Sequence, residues 1–337
     1  MELQAFSTCL LCRQSHYKEI VSASEIRVER AYLDKLYRSL LYPSLPDYMF
    51  KDQIHFMHIY DARLISCIVC GSVYRDPCLT PQSTLESYRD DDYHDDWLEA
   101  SFEPYCRLFL SDMPRLVHQV GRDARVLEIG SQVGGFQFAA KQYGWDVRGL
   151  DIGTKMTQFA RSKGLDVYTG TLHDIRFSDD EFDAVFVWSC FEMIPDPWSE
   201  LLEIHRVLRK GGKLYITIPN GDFIKLVHRF IRQKIAMPIR EPVLKLLAYG
   251  ILLGFSFQAG YSPVGLNYIL NQSGFSRISV KNLVYVPVTS AKQASQKVLE
   301  EKERYLKIAH ILSEAVRYLS LGRRIIGPWI EVRCERF

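Results

Sequence analysis

The chain has 337 residues, of which 47% are hydrophobic and 24% are charged, and its formal net charge is +2. This length allows one large domain or two, and the composition is ordinary for a globular protein. A charge this close to neutral gives no support to a nucleic-acid partner. The first residues lack the basic start and long apolar core of a signal peptide, which predicts a cytoplasmic protein.

Two C-x-x-C pairs stand near the start of the chain, Cys9 with Cys12 and Cys67 with Cys70. Four thiolates from two such knuckles can bind one tetrahedral zinc ion and hold together a region with little core of its own. The segment between the pairs is longer than a typical zinc ribbon allows, so buried free thiols are the alternative. His16 is a substitute ligand in principle, although a lone surface histidine is the simpler interpretation.

Two helical patterns follow the cysteine pairs, one after each pair. Residues 26–41 have apolar side chains at helical spacing, which predicts a helical insertion between the two cysteine pairs. Residues 97–120 predict a second helix that leads into the next domain. Just before it, Tyr93 and His94 lie in an acidic run, which is usually a solvated face. The alternative is that they border the mouth of an active site.

A buried strand pattern, residues 125–129, meets a glycine-rich turn and then a helical pattern over residues 136–143. This order predicts the first strand, loop and helix of a nucleotide-binding α/β unit, because glycine permits a tight turn and close approach to a ligand. Gly130, Gly134 and Gly135 have the spacing Gly-x-x-x-Gly-Gly, which differs from the G-x-G-x-x-G of dinucleotide-binding folds.

Two acidic residues indicate what the loop binds. Glu128, two residues before the first glycine, would repel a pyrophosphate but suits an ammonium or sulfonium. Asp151 follows about 20 residues later at the end of the next predicted strand, where a ribose diol is usually held. The expected ligand therefore carries a ribose and a positive charge.

These residues resemble the motifs of the class I S-adenosylmethionine-dependent methyltransferases, and the resemblance continues in order along the chain. The matching segments are 128–130, 149–151, 170–174, 182–188, 191–197, 205–212 and 214–220. The resemblance implies an α/β fold with a Rossmann-like seven-stranded sheet, whose sixth and seventh strands, from Ile278 and Pro328, pair in antiparallel fashion. Bacterial members also begin with a zinc-binding segment whose second knuckle resembles residues 67–77, followed by an acidic, tyrosine-rich stretch like residues 85–94.

The resemblance implies a set of residues that contact S-adenosylmethionine near the carboxyl ends of the strands. They are Glu128, Gly130, Ser131, Gln132, Gly134, Asp151, Ile152, Leu172, His173, Asp174 and Trp188. Two positions depart from the family pattern. Gln132 replaces the usual middle glycine of the first motif, and Met193 replaces a histidine often found after the fourth strand.

The predicted organisation has two parts. Residues 1–95 form the cysteine-knuckle segment, and residues 96–337 form the methyltransferase domain with insertions at 221–262 and 290–322. The first insertion contains an apolar and partly cationic stretch, 223–257, which predicts a lid over the sheet or, alternatively, peripheral membrane contact. Its most apolar part, residues 243–257, has only about 15 residues and contains Lys245, so it is too short to span a bilayer. The second insertion predicts a charged helix that is exposed or forms an oligomer contact.

The expected function is methyl transfer to an O, C or N atom of a small-molecule, sugar or lipid-linked acceptor. Such an acceptor often needs a base, and the candidates are Glu192, His94 and Tyr93, followed by His228 and Tyr261. A cofactor-binding but inactive partner protein is the first alternative. A nucleotide-dependent oxidoreductase or epimerase is the second, which Glu128 and the lack of a Tyr-x-x-x-Lys pair disfavour.

Overall fold

A computed structural model describes residues 2–36, 60–89, 93–233, 239–283 and 296–337. Its strands, in chain order, are β1 (Leu3–Gln4), β2 (Tyr17–Val21), β3 (Arg63–Cys67), β4 (Val73–Asp76), β5 (Cys78–Leu79), β6 (Arg125–Ile129), β7 (Asp146–Asp151), β8 (Val167–Thr169), β9 (Phe182–Trp188), β10 (Leu208–Pro219), β11 (Ala259–Gly260), β12 (Phe275–Leu283) and β13 (Trp329–Arg336). Its helices are α1 (Ala23–Leu36), α2 (Pro81–Arg89), α3 (Asp95–Val120), α4 (Gly135–Gln142), α5 (Thr154–Ser162), α6 (Leu172–Ile175), α7 (Pro197–Val207), α8 (Gly221–Ile231), α9 (Arg240–Tyr249), α10 (Pro263–Gln272) and α11 (Gln296–Leu319).

The central sheet has seven strands in the order β12-β13-β10-β9-β6-β7-β8. The five strands β6 to β10 run parallel, and β13 pairs antiparallel with both β10 and β12. This arrangement confirms the predicted seven-stranded α/β sheet and its antiparallel last pair. Because the parallel strands end at one edge, the loops after β6, β7 and β9 meet there, which is where ligands bind in such sheets.

Apolar side chains cover both faces of the sheet. On one face, Phe136 and Met113 from α4 and α3 pack against Val126 and Phe186 of the strands. On the other face, Leu201 of α7 and other helical residues pack against residues that include Val185 and Ile216. The central strands are therefore buried on both sides, as their continuous apolar sequences predict.

The N-terminal segment forms a second, four-stranded sheet with the order β11-β4-β3-β2. Strand β11 comes from the insertion after the central sheet's fifth strand, and it pairs with β4 through Ala259 opposite Tyr74. Cys9, Cys67 and Tyr74 also belong to the same hydrophobic cluster as Val187 and Ile216 of the central sheet. The cysteine-knuckle segment is thus packed against the α/β sheet.

Helices α1, α8 and α9 form a layer that buries several apolar residues of the predicted lid. Phe223, Val227, Leu247 and Leu253 pack with Leu33 of α1. The layer contains part of the stretch that predicted either a lid or a membrane contact. Among the described residues, no helix has both the length and the apolar character needed to cross a bilayer.

Several element bounds differ from the predicted ones. The helix predicted over residues 26–41 begins at Ala23 and is described to Leu36, and residues 37–41 lie outside the described ranges. The strand expected from Ile278 begins at Phe275. The predicted helical insertion 290–322 contains α11, while residues 290–295 lie outside the described part of the chain, as do Asp90, Asp91 and Asp92.

Candidate functional site

The loop after β6 turns sharply at Gly130, whose φ is +76°. The backbone N–H groups of Gly130 and Ser131 both donate to the Leu150 carbonyl, each at 2.8 Å, so this loop is tied to β7. A Cβ atom on Gly130 would lie 2.7 Å from Cys190 Sγ. Glycine is therefore required at position 130 for two reasons, its backbone conformation and the close approach of Cys190.

Gln132 and Asp151 connect the loop to the end of β7. Gln132 has a φ of +47°, a conformation that the usual middle glycine would adopt with less strain. Its backbone N–H donates to Asp151 Oδ2 at 2.8 Å, and the N–H of Gly153 donates to Asp151 Oδ1 at 2.8 Å. The Asp151 carboxylate is thus oriented at the carboxyl end of β7, next to Ile152.

A cavity of about 390 Å³ lies between the loop and α3. Of the predicted cofactor residues, Glu128, Gly130, Ser131, Gln132 and Trp188 line it. Residues of α3 line the opposite wall, where Tyr105, Leu108 and Phe109 form an apolar and aromatic part and Asp112 and Arg115 form a charged part. Gly134, Asp151, Ile152, Leu172, His173 and Asp174 lie outside the lining of this cavity.

Three buried polar atoms of the cavity lining have no hydrogen-bond partner within the described residues: Glu128 Oε2, Ser131 Oγ and Trp188 Nε1. Glu128 is 3% exposed. Burial, with the nearby Asp151 charge, raises the pKa of Glu128 well above its usual value. A cation bound beside Glu128 would favour its carboxylate form and satisfy its unpaired oxygen.

Glu192 lies in the 3₁₀ turn Phe191–Met193 that follows β9. It is 1% exposed, and neither carboxylate oxygen has a partner within the described ranges. Burial raises the pKa of Glu192 to about 8. The turn touches the glycine loop, because Cys190 Sγ donates to the Ile129 carbonyl at 3.2 Å. Glu192 itself does not line the cavity.

Tyr88 is a residue of this region that the sequence analysis did not select. Burial raises the pKa of its hydroxyl well above the usual value, and the charges of Glu192, Cys190 and Asp151 act in the same direction. The tyrosine-rich character of residues 85–94 was the available signal, but it did not distinguish Tyr88 from its neighbours.

Tyr93 and His94 lie at the start of α3. The Tyr93 ring stacks on Trp97 at 4.7 Å, and its carbonyl accepts a hydrogen bond from Lys155. Tyr93 packs against a small cluster that includes Val133 of the glycine loop. His94 is exposed at the amino end of the helix.

The residues expected to contact adenine lie in the short helix α6, two residues beyond β8. Leu172 is buried, whereas His173 is exposed and its Nε2 lies 3.6 Å from Glu200 Oε2 of α7. Asp174 accepts a hydrogen bond from the backbone N–H of Thr171 and caps the helix. The sequence predicts Leu172 and His173 at the end of a strand. The additional helical turn moves them beyond it.

The four cysteines of the two predicted knuckles form one cluster whose sulfur atoms all lie within 4.8 Å of one another. Cys9 Sγ lies 3.5 Å from Cys70 Sγ, and Cys12 Sγ lies 3.6 Å from Cys67 Sγ. Tetrahedral zinc with Zn–S bonds of about 2.3 Å places its sulfur ligands about 3.8 Å apart. The spacing of the thiols therefore fits a zinc site with four cysteine ligands.

Cys9 and Cys12 form a knuckle although no glycine follows them, and the backbone turns of the two knuckles show how. The N–H groups of Arg13 and Gly71 donate to the carbonyls of Cys9 and Cys67, each at 2.9 Å. Arg13 adopts a φ of +58° and Gly71 a φ of +83°, so the arginine takes the conformation that glycine favours. His16 is not a member of the sulfur cluster.

Comparisons with known proteins match the part of the chain that contains the glycine loop. The family model described as "Methyltransferase domain" matches residues 127–216. An uncharacterised protein of Methanocaldococcus jannaschii is 30% identical over 128 residues, which cover 38% of this chain and 60% of that protein. A demethylmenaquinone methyltransferase of Tropheryma whipplei is 29% identical over 171 residues, which cover 48% of this chain and 70% of that enzyme.

Solved structures with a similar fold include an S-adenosylmethionine-dependent methyltransferase of Archaeoglobus fulgidus. It is 17% identical, the match covers 72% of this chain and 100% of that chain, and the TM-score is 0.45. The motifs from Glu128 to Asn220, the seven-stranded sheet and the family match over residues 127–216 lead to the same assignment. The chain carries a class I S-adenosylmethionine-dependent methyltransferase domain.

Proposed function

We propose that the protein transfers the methyl group of S-adenosylmethionine to an O, C or N atom of a small-molecule acceptor. One observation carries the proposal. Buried polar atoms of Glu128, Ser131 and Trp188 lie without partners in a cavity beside the glycine loop. Buried polar groups are rarely left unpaired, so these atoms are best explained as ligand contacts.

Each part of the cofactor has residues suited to it. Asp151, oriented by two backbone N–H groups, would accept hydrogen bonds from the ribose hydroxyls. Glu128 would stabilise the positive charge of the ammonium or sulfonium group, and Gly130 and Gly134 allow the backbone to approach closely. Leu172, His173, Asp174 and Ile152 are assigned to the adenosine side, because they follow the ends of β7 and β8. When bound, the cofactor supplies the methyl group.

Glu192 is the leading candidate for the base that takes a proton from the acceptor. A carboxylate with a pKa near 8 is a stronger base than an ordinary glutamate, and the sulfonium would favour its ionised form. Because Glu192 is covered in this structure, proton transfer requires the segment over it to move or a water molecule to connect it with the acceptor. Tyr93 and His94 border the same region and are the second candidates.

The acceptor is proposed to have an apolar or aromatic part, with sugar and lipid-linked compounds as the first classes to screen. The support is the apolar part of the cavity wall, which consists of Tyr105, Leu108, Phe109 and Trp188 and lies beside the charged Asp112 and Arg115. Such a wall binds apolar surface and keeps water away from the reacting atoms, which favours displacement at a sulfonium.

We further propose that Cys9, Cys12, Cys67 and Cys70 bind a structural zinc ion. A closed set of four thiolates leaves no open position for a substrate, so the ion would stabilise the fold and not take part in the chemistry. The cluster geometry supports this assignment. In this assignment Cys190, which lies beside the glycine loop, is not a zinc ligand.

The test is calorimetric titration of the purified protein with S-adenosylhomocysteine, with NADH as the control ligand and zinc content measured on the same sample. Micromolar binding of S-adenosylhomocysteine alone is expected, together with one zinc ion per chain. Binding of NADH alone would replace the proposal with an oxidoreductase. Binding of S-adenosylhomocysteine without turnover of any acceptor would favour an inactive partner protein.

A further inference from the structure

Tyr261 connects the cysteine cluster with the cofactor site. It is fully buried, directly after β11. Its ring lies 6.2 Å from the ring of Tyr74 and 5.9 Å from the ring of Phe191, both in edge-to-face contact. Tyr74 belongs to the cysteine-knuckle segment and Phe191 to the turn after β9. One side chain thus packs between the two sites.

On the side of the cysteine cluster, Tyr74 and Ser262 make further contacts with the knuckles. The Tyr74 hydroxyl lies 3.1 Å from Cys9 Sγ. The Ser262 hydroxyl donates to the Cys70 carbonyl, and the Ser262 N–H donates to Ser72 Oγ at 3.2 Å. All of these residues are buried. The position of residues 261–262 therefore depends on the arrangement of the knuckles.

On the side of the cofactor, the turn at Phe191 packs between Tyr261 and the glycine loop. Cys190 Sγ donates to the Ile129 carbonyl and approaches Gly130 so closely that no Cβ fits there. The same turn carries the unpaired carboxylate of Glu192. A shift of Phe191 would move Cys190 and change the loop that the cofactor must contact.

We propose that the four-cysteine centre holds the Cys190–Met193 turn against the glycine loop through Tyr74, Tyr261 and Ser262, so that zinc and S-adenosylmethionine bind cooperatively. The proposal rests on the function proposed above. Thermodynamic linkage requires the effect to be reciprocal, so each ligand tightens the other by the same factor. Couplings of this kind are typically about 5- to 150-fold.

The experiment compares zinc-loaded protein with protein stripped by a chelator, each titrated with S-adenosylhomocysteine by calorimetry. The dissociation constant is expected to rise at least about fivefold on stripping. In the reciprocal measurement, saturating S-adenosylhomocysteine should tighten zinc against a competing chelator by the same factor. Circular dichroism verifies that the stripped protein keeps its secondary structure.

Variants of the zinc-loaded protein test the connection through Tyr261. They remain informative if the stripped protein unfolds. Tyr261→Ala removes both ring contacts and should weaken S-adenosylhomocysteine binding with zinc still bound. Tyr249→Ala is the matched control, because it removes a buried tyrosine from the helical layer and leaves the contacts between the two sites intact. Tyr261→Phe keeps both ring contacts and should preserve the affinity, since the Tyr261 hydroxyl has no partner among the described residues.

Equal affinity of the loaded and stripped proteins would overturn the coupling and leave the proposed function intact. Equal affinity of Tyr261→Ala and Tyr249→Ala would likewise reject Tyr261 as the connection. If the zinc-loaded wild type does not bind S-adenosylhomocysteine at all, the proposed function fails and the coupling fails with it.

Discussion

Gln132 shows how a residue that departs from the family pattern is accommodated. It adopts the positive φ that glycine would favour, and its N–H is fixed by Asp151. The backbone at position 132 thus has a conformation that glycine favours, although the residue is glutamine. The sequence identified both Gln132 and Asp151, but it could not show that a hydrogen bond joins them, since that contact depends on the relative position of two loops.

Asp151→Ala should weaken S-adenosylhomocysteine binding by about 10- to 100-fold, because hydrogen bonds to a charged group contribute about 1.5–3 kcal/mol each. The change also releases the N–H groups of Gln132 and Gly153. Calorimetry measures the dissociation constant. Asp146→Ala, at the opposite and exposed end of β7, is the control and should bind normally. Unchanged affinity in Asp151→Ala would reject the ribose assignment.

If Glu192 is the base, the rate of methyl transfer should rise with pH. Its pKa in the folded protein is raised to about 8, so at lower pH the group is protonated and cannot accept a proton. Methyl transfer to a hydroxyl acceptor should therefore increase with pH and level off near or below pH 8, since the sulfonium favours ionisation. Glu192→Gln should lose this dependence and most of kcat. A variant with an unchanged profile would exclude Glu192 as the base.

The glycine loop and the turn after β9 pack against each other, and the sequence does not reveal this contact. The strands of the central sheet and several helices could be predicted, because apolar period and glycine positions are local signals. The contact of Cys190 with Gly130 joins segments that are distant in the chain. The helical turn of α6 was missed for a local reason, because its cap at Thr171 and Asp174 is too short to form a periodic pattern.

Gly130→Ala should abolish cofactor binding while costing the fold only moderately. The new Cβ would meet Cys190 Sγ at 2.7 Å and sit at a φ of +76°, which costs about 1–2 kcal/mol in backbone strain alone. Gly164→Ala separates the two effects, because Gly164 has a similar φ of +77° and nothing within 4 Å of its Cβ position. Thermal unfolding and S-adenosylhomocysteine titration of both variants make the comparison. Equal binding by the two alanine variants would show that the contact with Cys190 is unimportant.

At the scale of the whole molecule, one hydrophobic cluster contains the cysteine knuckles and one face of the central sheet. The sequence predicted a knuckle segment over residues 1–95 and a methyltransferase domain over residues 96–337, and this boundary stays a prediction. Composition alone could not reveal that β11, from residues 259–260, completes the N-terminal sheet. The pairing of two short, distant segments has no local sequence signal.

The shared cluster predicts a single cooperative unfolding transition. Tryptophan fluorescence reports on the central sheet through Trp188 and Trp145, and a zinc-sensitive dye reports on the knuckles. Both signals should change at the same temperature, and stripping zinc should lower that temperature for the whole protein. Zinc release well below the fluorescence transition would instead show two independent units.

The pairing of β4 with β11 also sets an order of events during synthesis. Strands β2, β3 and β4 leave the ribosome long before Ala259 and Gly260 are made, so the N-terminal sheet waits with one edge open. In that interval Tyr74 lacks its later neighbour Tyr261. The N-terminal sheet is therefore synthesised before residues 259–260 but reaches its final form only after them.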